Sequence, residues 1–236
     1  MRIRLHNLSA ALLVEVLLFS ACTTLPEGQS AWPDHRPRSL SSSYPDGRGP
    51  SLSELQRRLV EEARRLVGRE RLVVNGRAFT MDCTGVVLAV YYAAGIDLST
   101  EFFRHEGNGV RRLYLTMKSH GLLYFTRTPQ PGDLIFWDDT YDANGDGRMN
   151  DPLTHVGMVV ESHSDGTVVY IHHNYRRGIV LEYMNLYDPD TYTTEKGGKI
   201  VVVNSPMRMR GSPAANGKWL ASHLVRDFGR AYLYTN

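Results

Sequence analysis

Cysteine is nearly absent: the 236 residues carry two, Cys22 and Cys83. One pair is too few for a disulfide scaffold, so a stable fold here has to come from a hydrophobic core. An excess of either charge is missing as well. Lys and Arg number 27 against 25 Asp and Glu, a formal net charge of +2, which gives no electrostatic case for binding nucleic acid. The apolar stretch Leu8 to Ala21 is shorter than the roughly 20 residues a membrane helix needs. No internal repeat is visible. No His-Glu-x-x-His phrase occurs either, so His155, His163, His172 and His173 are not read as a zinc cluster.

What is present begins with an export signal. Arg2, Arg4 and His6 make a short basic head, and the apolar stretch ends in Phe19-Ser20-Ala21 before Cys22. Small residues just before a cysteine resemble a bacterial lipoprotein processing site, in which the cysteine becomes the lipidated first residue. On that resemblance residues 1–21 are a signal peptide and the chain is tied to a membrane through Cys22. Thr23 in place of Asp favours the outer membrane, with the protein facing the periplasm. Residues 22–50 carry Pro26, Pro33, Pro37, Pro45 and Pro50 among Ser, Gly and Asp, the composition of a tether. Residues 51–236 are then long enough for one domain with a sizeable core. A monomer is expected.

Ser51-Leu52-Ser53-Glu54 has capping-box spacing. Leu52, Leu55, Leu59, Ala63 and Leu66 follow at helical intervals. Asn75-Gly76 signals a hairpin within residues 71–79. Residues 83–94 are small and apolar nearly throughout, which predicts a helix buried on most sides, with Gly95 as its stop. Another helix is expected at 109–119, ended by Gly121. The second half reads as strands: Asp133 to Trp137, Val156 to Val160, and Thr167 to His172 after a Ser164-Asp165-Gly166 turn. Gly178 to Leu181, Lys199 to Val203 and Gly229 to Tyr234 are expected to complete the sheet. Helices first and antiparallel strands afterwards give an α+β fold in two layers.

The chemistry centres on Cys83. With Cys22 acylated, Cys83 has no partner and stays a free thiol at a helix start. There the helix dipole and a nearby imidazole favour the nucleophilic thiolate. Asp82 or Thr84 is placed to cap that turn, whose free N–H groups suit an oxyanion. An apolar helix is equally where a buried structural cysteine sits, so the histidines decide. His155 opens the strand His155-Val156-Gly157-Met158, and His172 lies on the next strand. A hairpin at Asp165-Gly166 makes these strands neighbours. His155 then serves as base and His172 fixes its orientation, while His173 faces the opposite way.

These residues resemble the NlpC-type cell-wall cysteine peptidases, which are papain-like and related to the CHAP amidases. Asp82-Cys83-Thr84-Gly85 is similar to the family's Asp-Cys-Ser-Gly nucleophile phrase. Pro131-Gly132-Asp133-Leu134 is similar to its Pro-Gly-Asp-Leu strand, His155-Val156-Gly157 to its His-Val-Gly strand, and Tyr170-Ile171-His172-His173 to its second histidine strand. The resemblance implies a papain-like fold with helices on a central antiparallel sheet. It also implies a Cys83, His155, His172 triad acting through an acyl-enzyme on peptidoglycan stem-peptide or crosslink amides. A CHAP-type amidase cutting between sugar and peptide, or a wall-binding lipoprotein without catalysis, are the alternatives. The family tyrosine that helps hold the oxyanion has no match before Cys83.

Asp142, Asn144 and Asp146, followed by Gly147, match the first half of a calcium loop. Leu153 stands where the bidentate Glu belongs, so Asp151 is the substitute ligand. A structural calcium is the expectation for this loop; the chemistry itself requires no cofactor. Residues 183–222 exceed a minimal family domain and are expected to wall the cleft.

Overall fold

A computed structural model describes residues 53–209, 211 and 217–235. The expected export signal and tether, with Cys22 and Ser51, lie outside the described residues. The first helix, α1 (Glu54–Leu66), is capped by Ser53, whose hydroxyl accepts from Gln56 N–H while Gln56 Oε1 accepts from Ser53 N–H at 3.1 Å. Gln56 also donates through Nε2 to Pro131 O at 2.9 Å, so the cap fixes a distant turn as well as its own helix. Strands β1 (Leu72–Val74) and β2 (Arg77–Phe79) form the hairpin predicted at Asn75-Gly76. Both turn residues have positive φ, 49° and 80°, as a tight two-residue turn requires.

Helix α2 (Cys83–Ala93) buries Val86, Val87, Ala89, Val90 and Tyr91 and stops at Gly95, where φ is 94°. It is apolar all round because α1, the β1–β2 hairpin and the sheet enclose it. Helix α3 (Gly109–Ser119) and strands β3 (Leu123–Tyr124), β4 (Leu134–Trp137), β5 (His155–Ser162), β6 (Thr167–Asn174) and β7 (Gly178–Asn185) follow. The chain then forms β8 (Thr193–Lys196), β9 (Lys199–Val202), the short α4 (Ala221–Leu224) and β10 (Val225–Gly229). The central sheet is antiparallel throughout, in the order β3-β10-β4-β5-β6-β7.

The α+β reading holds: α1 to α3 pack on one face of this sheet. Two expectations for its later parts do not. Lys199–Val202 pairs only with β8, in a separate ribbon. The closing strand is Val225–Gly229, inserted between β3 and β4, and residues 231–233 are a 3-10 turn. Of the described residues after β7, Leu186, Met207, Ala221 and Leu224 cover the back of the sheet, packing with Ile135, Trp137, Val159, Tyr170 and Phe228. Strand alternation explains why they are needed. Phe136, Val156, Met158 and Ile171 go to the helix side, which leaves an equally apolar set behind that must also be covered.

Candidate active site

Asp82 is extended, with φ −140°, and its Oδ1 accepts from Gly85 N–H at 2.7 Å. That cap makes Cys83 the first residue of α2. Gly85 is demanded by crowding, since a Cβ there would sit 1.9 Å from the Thr80 carbonyl oxygen. The chain just before the nucleophile therefore crosses the helix start at backbone contact.

The sheet opens where this helix tip arrives. Strand β6 stays paired with β7 as far as Asn174↔Gly178, and β4 with β5 as far as Trp137↔His155. Between β5 and β6, however, the last paired residues on this side are Met158 and Ile171. Residues 155–157 and 172–174 thus form a fork. An N–H freed from its ladder needs another acceptor, and the Val156 N–H donates to the Cys83 sulfur, as do the Thr84 N–H and hydroxyl. Gly157 keeps the fork's inner edge slim: a Cβ there would lie 2.8 Å from Ile171 O and 3.1 Å from the Trp137 ring.

Side chains bridge the same fork. His155 Nε2 and His172 Nδ1 are 2.8 Å apart, with their rings near perpendicular. The expected approach of the two imidazoles is therefore present, and the thiol sits beside the residue that follows His155. His173 faces the helix side as predicted, yet it is not remote. It interacts electrostatically with Asp82 and with His155.

Glu182 is the residue that sequence reasoning missed. The register Tyr170↔Glu182 places this acid on the buried face shared by Tyr170 and His172. Its Oε2 accepts from the Tyr170 hydroxyl at 3.2 Å, and Oε1 accepts from Asn174 Nδ2 at 3.1 Å and from Arg177 Nη2. His172 Nε2 also stands 3.2 Å from Oε2. That is ion-pair distance, but the N–H points off the oxygen, so no linear hydrogen bond is made. Counting pairs outward from the Tyr175 turn would have found Glu182, because residues 170 and 182 are forced opposite once Asn174 meets Gly178.

Burial sets the charge states. It pushes the Cys83 thiol up to about 11, against the pull of the Val156 N–H, and the Asp82 carboxylate adds to the rise. It holds His155 well below the usual imidazole range, helped by His172 and His173. Burial, then the Arg177 charge, takes His172 down to about 3. The neutral imidazole is therefore the favoured form of His172. The helix-tip thiolate expected from the sequence is thus replaced by a neutral thiol among neutral imidazoles; desolvation outweighs the helix dipole.

The loop between β4 and β5 braces itself. Asp142 accepts from Gly145 N–H and Gly147 N–H, Asn144 from Asp146 N–H and Asp146 from Arg148 N–H, each at 2.8 Å; Asp151 accepts from Ala143 N–H at 3.0 Å. Among the described residues no group of three or more His, Cys, Asp or Glu side chains is placed to hold a metal ion. Burial raises the Tyr141 hydroxyl at the head of this loop, and Cys83 lies close enough to add to the rise once it ionises. Across the cleft, α3 begins against the nucleophile's neighbour, since a Cβ on Gly109 would meet Thr84 Cγ2 at 2.6 Å.

Residues 73–174 match the family model of the CHAP domain. The matched stretch runs from β1 to the last residue of β6 and includes Cys83, His155 and His172. No curated protein and no solved structure matches the chain. Residues 73–174 are a CHAP domain, of the cysteine protease and amidase family linked to cell-wall hydrolysis. The match falls on the amidase relative that the sequence resemblance already included.

Proposed function

We propose that the chain hydrolyses an amide of peptidoglycan, in the stem peptide or crosslink, with Cys83 as nucleophile, His155 as general base and His172 as its orienting partner. The observation that carries this reading is the fork between β5 and β6. It gathers a helix-tip thiol, a strand N–H spent on its sulfur, and an imidazole pair 2.8 Å apart. Because the resting sulfur is a thiol, attack and proton transfer go together. The Cys83 Sγ–H proton passes to His155 as sulfur bonds to the carbonyl carbon. His155 then returns it to the departing amine, which leaves an acyl-enzyme for water to open. The backbone N–H of Cys83, at the tip of α2, faces the developing oxyanion. Tyr141, within electrostatic reach of Cys83, takes the place of the missing family tyrosine.

The CHAP match favours a second reading of the bond, the amide joining sugar to peptide. Lipidation at Cys22 and an outer-membrane address complete the proposal; the tether at 22–50 lets an anchored domain reach the wall. The test is digestion of purified sacculi by wild type and Cys83→Ala, with the fragments weighed by mass spectrometry. Peptide fragments lost in the variant support the first bond, and peptide-free glycan strands support the second. Undiminished release by Cys83→Ala sinks both and leaves a wall-binding protein.

A further inference from the structure

Glu182 and Arg177 lie beyond the residues that match the CHAP model, yet their side chains reach the imidazole pair. Every neighbour of the Glu182 carboxylate is a donor: the Tyr170 hydroxyl, the Asn174 amide and the Arg177 guanidinium. That company fits the ionised acid, and buried charges persist when paired and hydrogen-bonded in this way. Asn174 does double service. Its Oδ1 accepts from Arg176 N–H and Arg177 N–H at 3.0 and 3.2 Å, shaping the turn that presents Arg177, while its Nδ2 holds Glu182.

We propose that Glu182, held ionised by Arg177, is a positioning residue that fixes which nitrogen of each imidazole carries its proton and so selects His155 Nδ1 as the base. The inference rests on the reading of Cys83, His155 and His172 as the reacting groups. A neutral imidazole has one N–H and one lone pair. At 3.2 Å from a carboxylate oxygen, with no other partner, His172 Nε2 must carry the proton, because a lone pair there would face negative charge in a desolvated site. His172 Nδ1 is then an acceptor, and the atom 2.8 Å from it, His155 Nε2, must be a donor. That leaves the lone pair of His155 on Nδ1, ready to accept the thiol proton. Two neutral histidines joined only to each other would have no such preference, since the reversed arrangement satisfies the same bond.

The experiment is long-range ¹H–¹⁵N spectroscopy of histidine-labelled protein at neutral pH, set beside wall-fragment release. Wild type is expected to show His172 and His155 both as Nε2–H tautomers. Glu182→Gln keeps the shape but offers either a donor or an acceptor to His172. It is therefore expected to mix the tautomers and lower kcat by between about 10-fold and about 10⁴-fold, the upper figure being what a wrong tautomer costs a protease triad. KM should hold and the variant should melt cooperatively. A wild-type spectrum showing Nδ1–H at His172 overturns the inference, even if Glu182→Gln fails to fold. So does Glu182→Gln with unchanged kcat and unchanged tautomers while Cys83→Ala is dead. If Cys83→Ala retains activity, the reading of the triad falls instead.

Discussion

Strand β4 has ionisable groups buried at both of its ends, and their surroundings differ. At its start Asp133 is fully buried, with Oδ2 accepting from the Tyr124 hydroxyl and, at 2.6 Å, from Gln130 N–H, while Oδ1 has no partner. The guanidinium of Arg230 lies over the Tyr124 ring, 4.1 Å from its centroid, and only its field reaches the acid. Burial pushes this carboxyl up to about 6. At the other end, beside Trp137, the fork half-buries the Cys83 thiol and the His155 imidazole and fully buries His172 and a Glu182 carboxylate that has Arg177 against it. Burial is the common factor, and it drives single groups toward their neutral forms at both ends. What distinguishes the site end is a sequence of neighbouring groups: the Val156 N–H on the Cys83 sulfur, His155 bonded to His172, and His172 Nε2 3.2 Å from the Glu182 carboxylate. Along that sequence a proton has somewhere to go. At Asp133 the bonds only tie the Pro131-Gly132 turn to β3.

The sharpest way to break the comparison is to remove the charge at the start of β4. The folded state holds Asp133 at about 6 against the ordinary 3.8, so it favours the protonated acid. That contribution is whole below about pH 4 and is lost as pH rises through 6, for a difference of about 3 kcal/mol. Asp133→Asn accepts the same two hydrogen bonds and does not ionise. Urea unfolding at about pH 4 and about pH 8 should show wild type losing about 3 kcal/mol that the variant keeps; parallel pH curves would refute the assignment.

At the fork the corresponding measurement is chemical. A thiol at about 11 in place of the ordinary 9.0 holds roughly 100-fold less thiolate at neutral pH. Alkylation of Cys83 by iodoacetamide should therefore run about 100-fold slower in the folded protein than in the urea-unfolded one. It should also climb steadily with pH. A plateau between about pH 5 and pH 8 would reveal a preformed thiolate–imidazolium pair. A smaller effect separates two glycines on the strands that flank β4. Gly157→Ala meets backbone oxygen and an indole, and should cost about 1–3 kcal/mol while prising the imidazoles apart. Gly229→Ala meets only Met117 and Phe136 side chains, at 3.2 and 3.3 Å. Its melting temperature should fall less and its wall digestion should be unaffected.

Much of this was legible in the sequence because local rules governed it. The Asn75-Gly76 turn, the α2 boundaries from Asp82 to Gly95, and the hairpin at Asp165-Gly166 each follow from backbone chemistry within a few residues. Once that hairpin was placed, His155 and His172 had to be near neighbours. The parts that failed depend on distant pairing. Nothing in Lys199–Val202 distinguishes a strand of the central sheet from one of a separate ribbon. The insertion of Val225–Gly229 between β3 and β4 is likewise set by packing. The charge state of Cys83 escapes the sequence for a related reason: helix position is visible there, but the desolvation of the thiol by its neighbours is not. Glu182 was within reach of register counting, yet an acid in a strand otherwise reads as a solvent-facing residue.

The smallest effect expected is the most discriminating for the helix tip, because Asp82 does two separable things. Its Oδ1 caps α2 through Gly85 N–H, and its charge raises the Cys83 thiol. Asp82→Ala removes both: it should cost about 1 kcal/mol in thermal or urea unfolding, the usual worth of an N-cap. Asp82→Asn accepts the same bond without the charge, so stability should stay within a few tenths of a kcal/mol of wild type. Iodoacetamide should then react severalfold faster at neutral pH, short of about tenfold, since Asp82 is a lesser cause of the rise than burial. Faster alkylation in Asn with stability lost only in Ala assigns the cap to the backbone and the charge to the sulfur. Equal alkylation rates in Asn and wild type would mean that burial alone holds the thiol neutral, and that the Asp of the nucleophile phrase acts only on the helix.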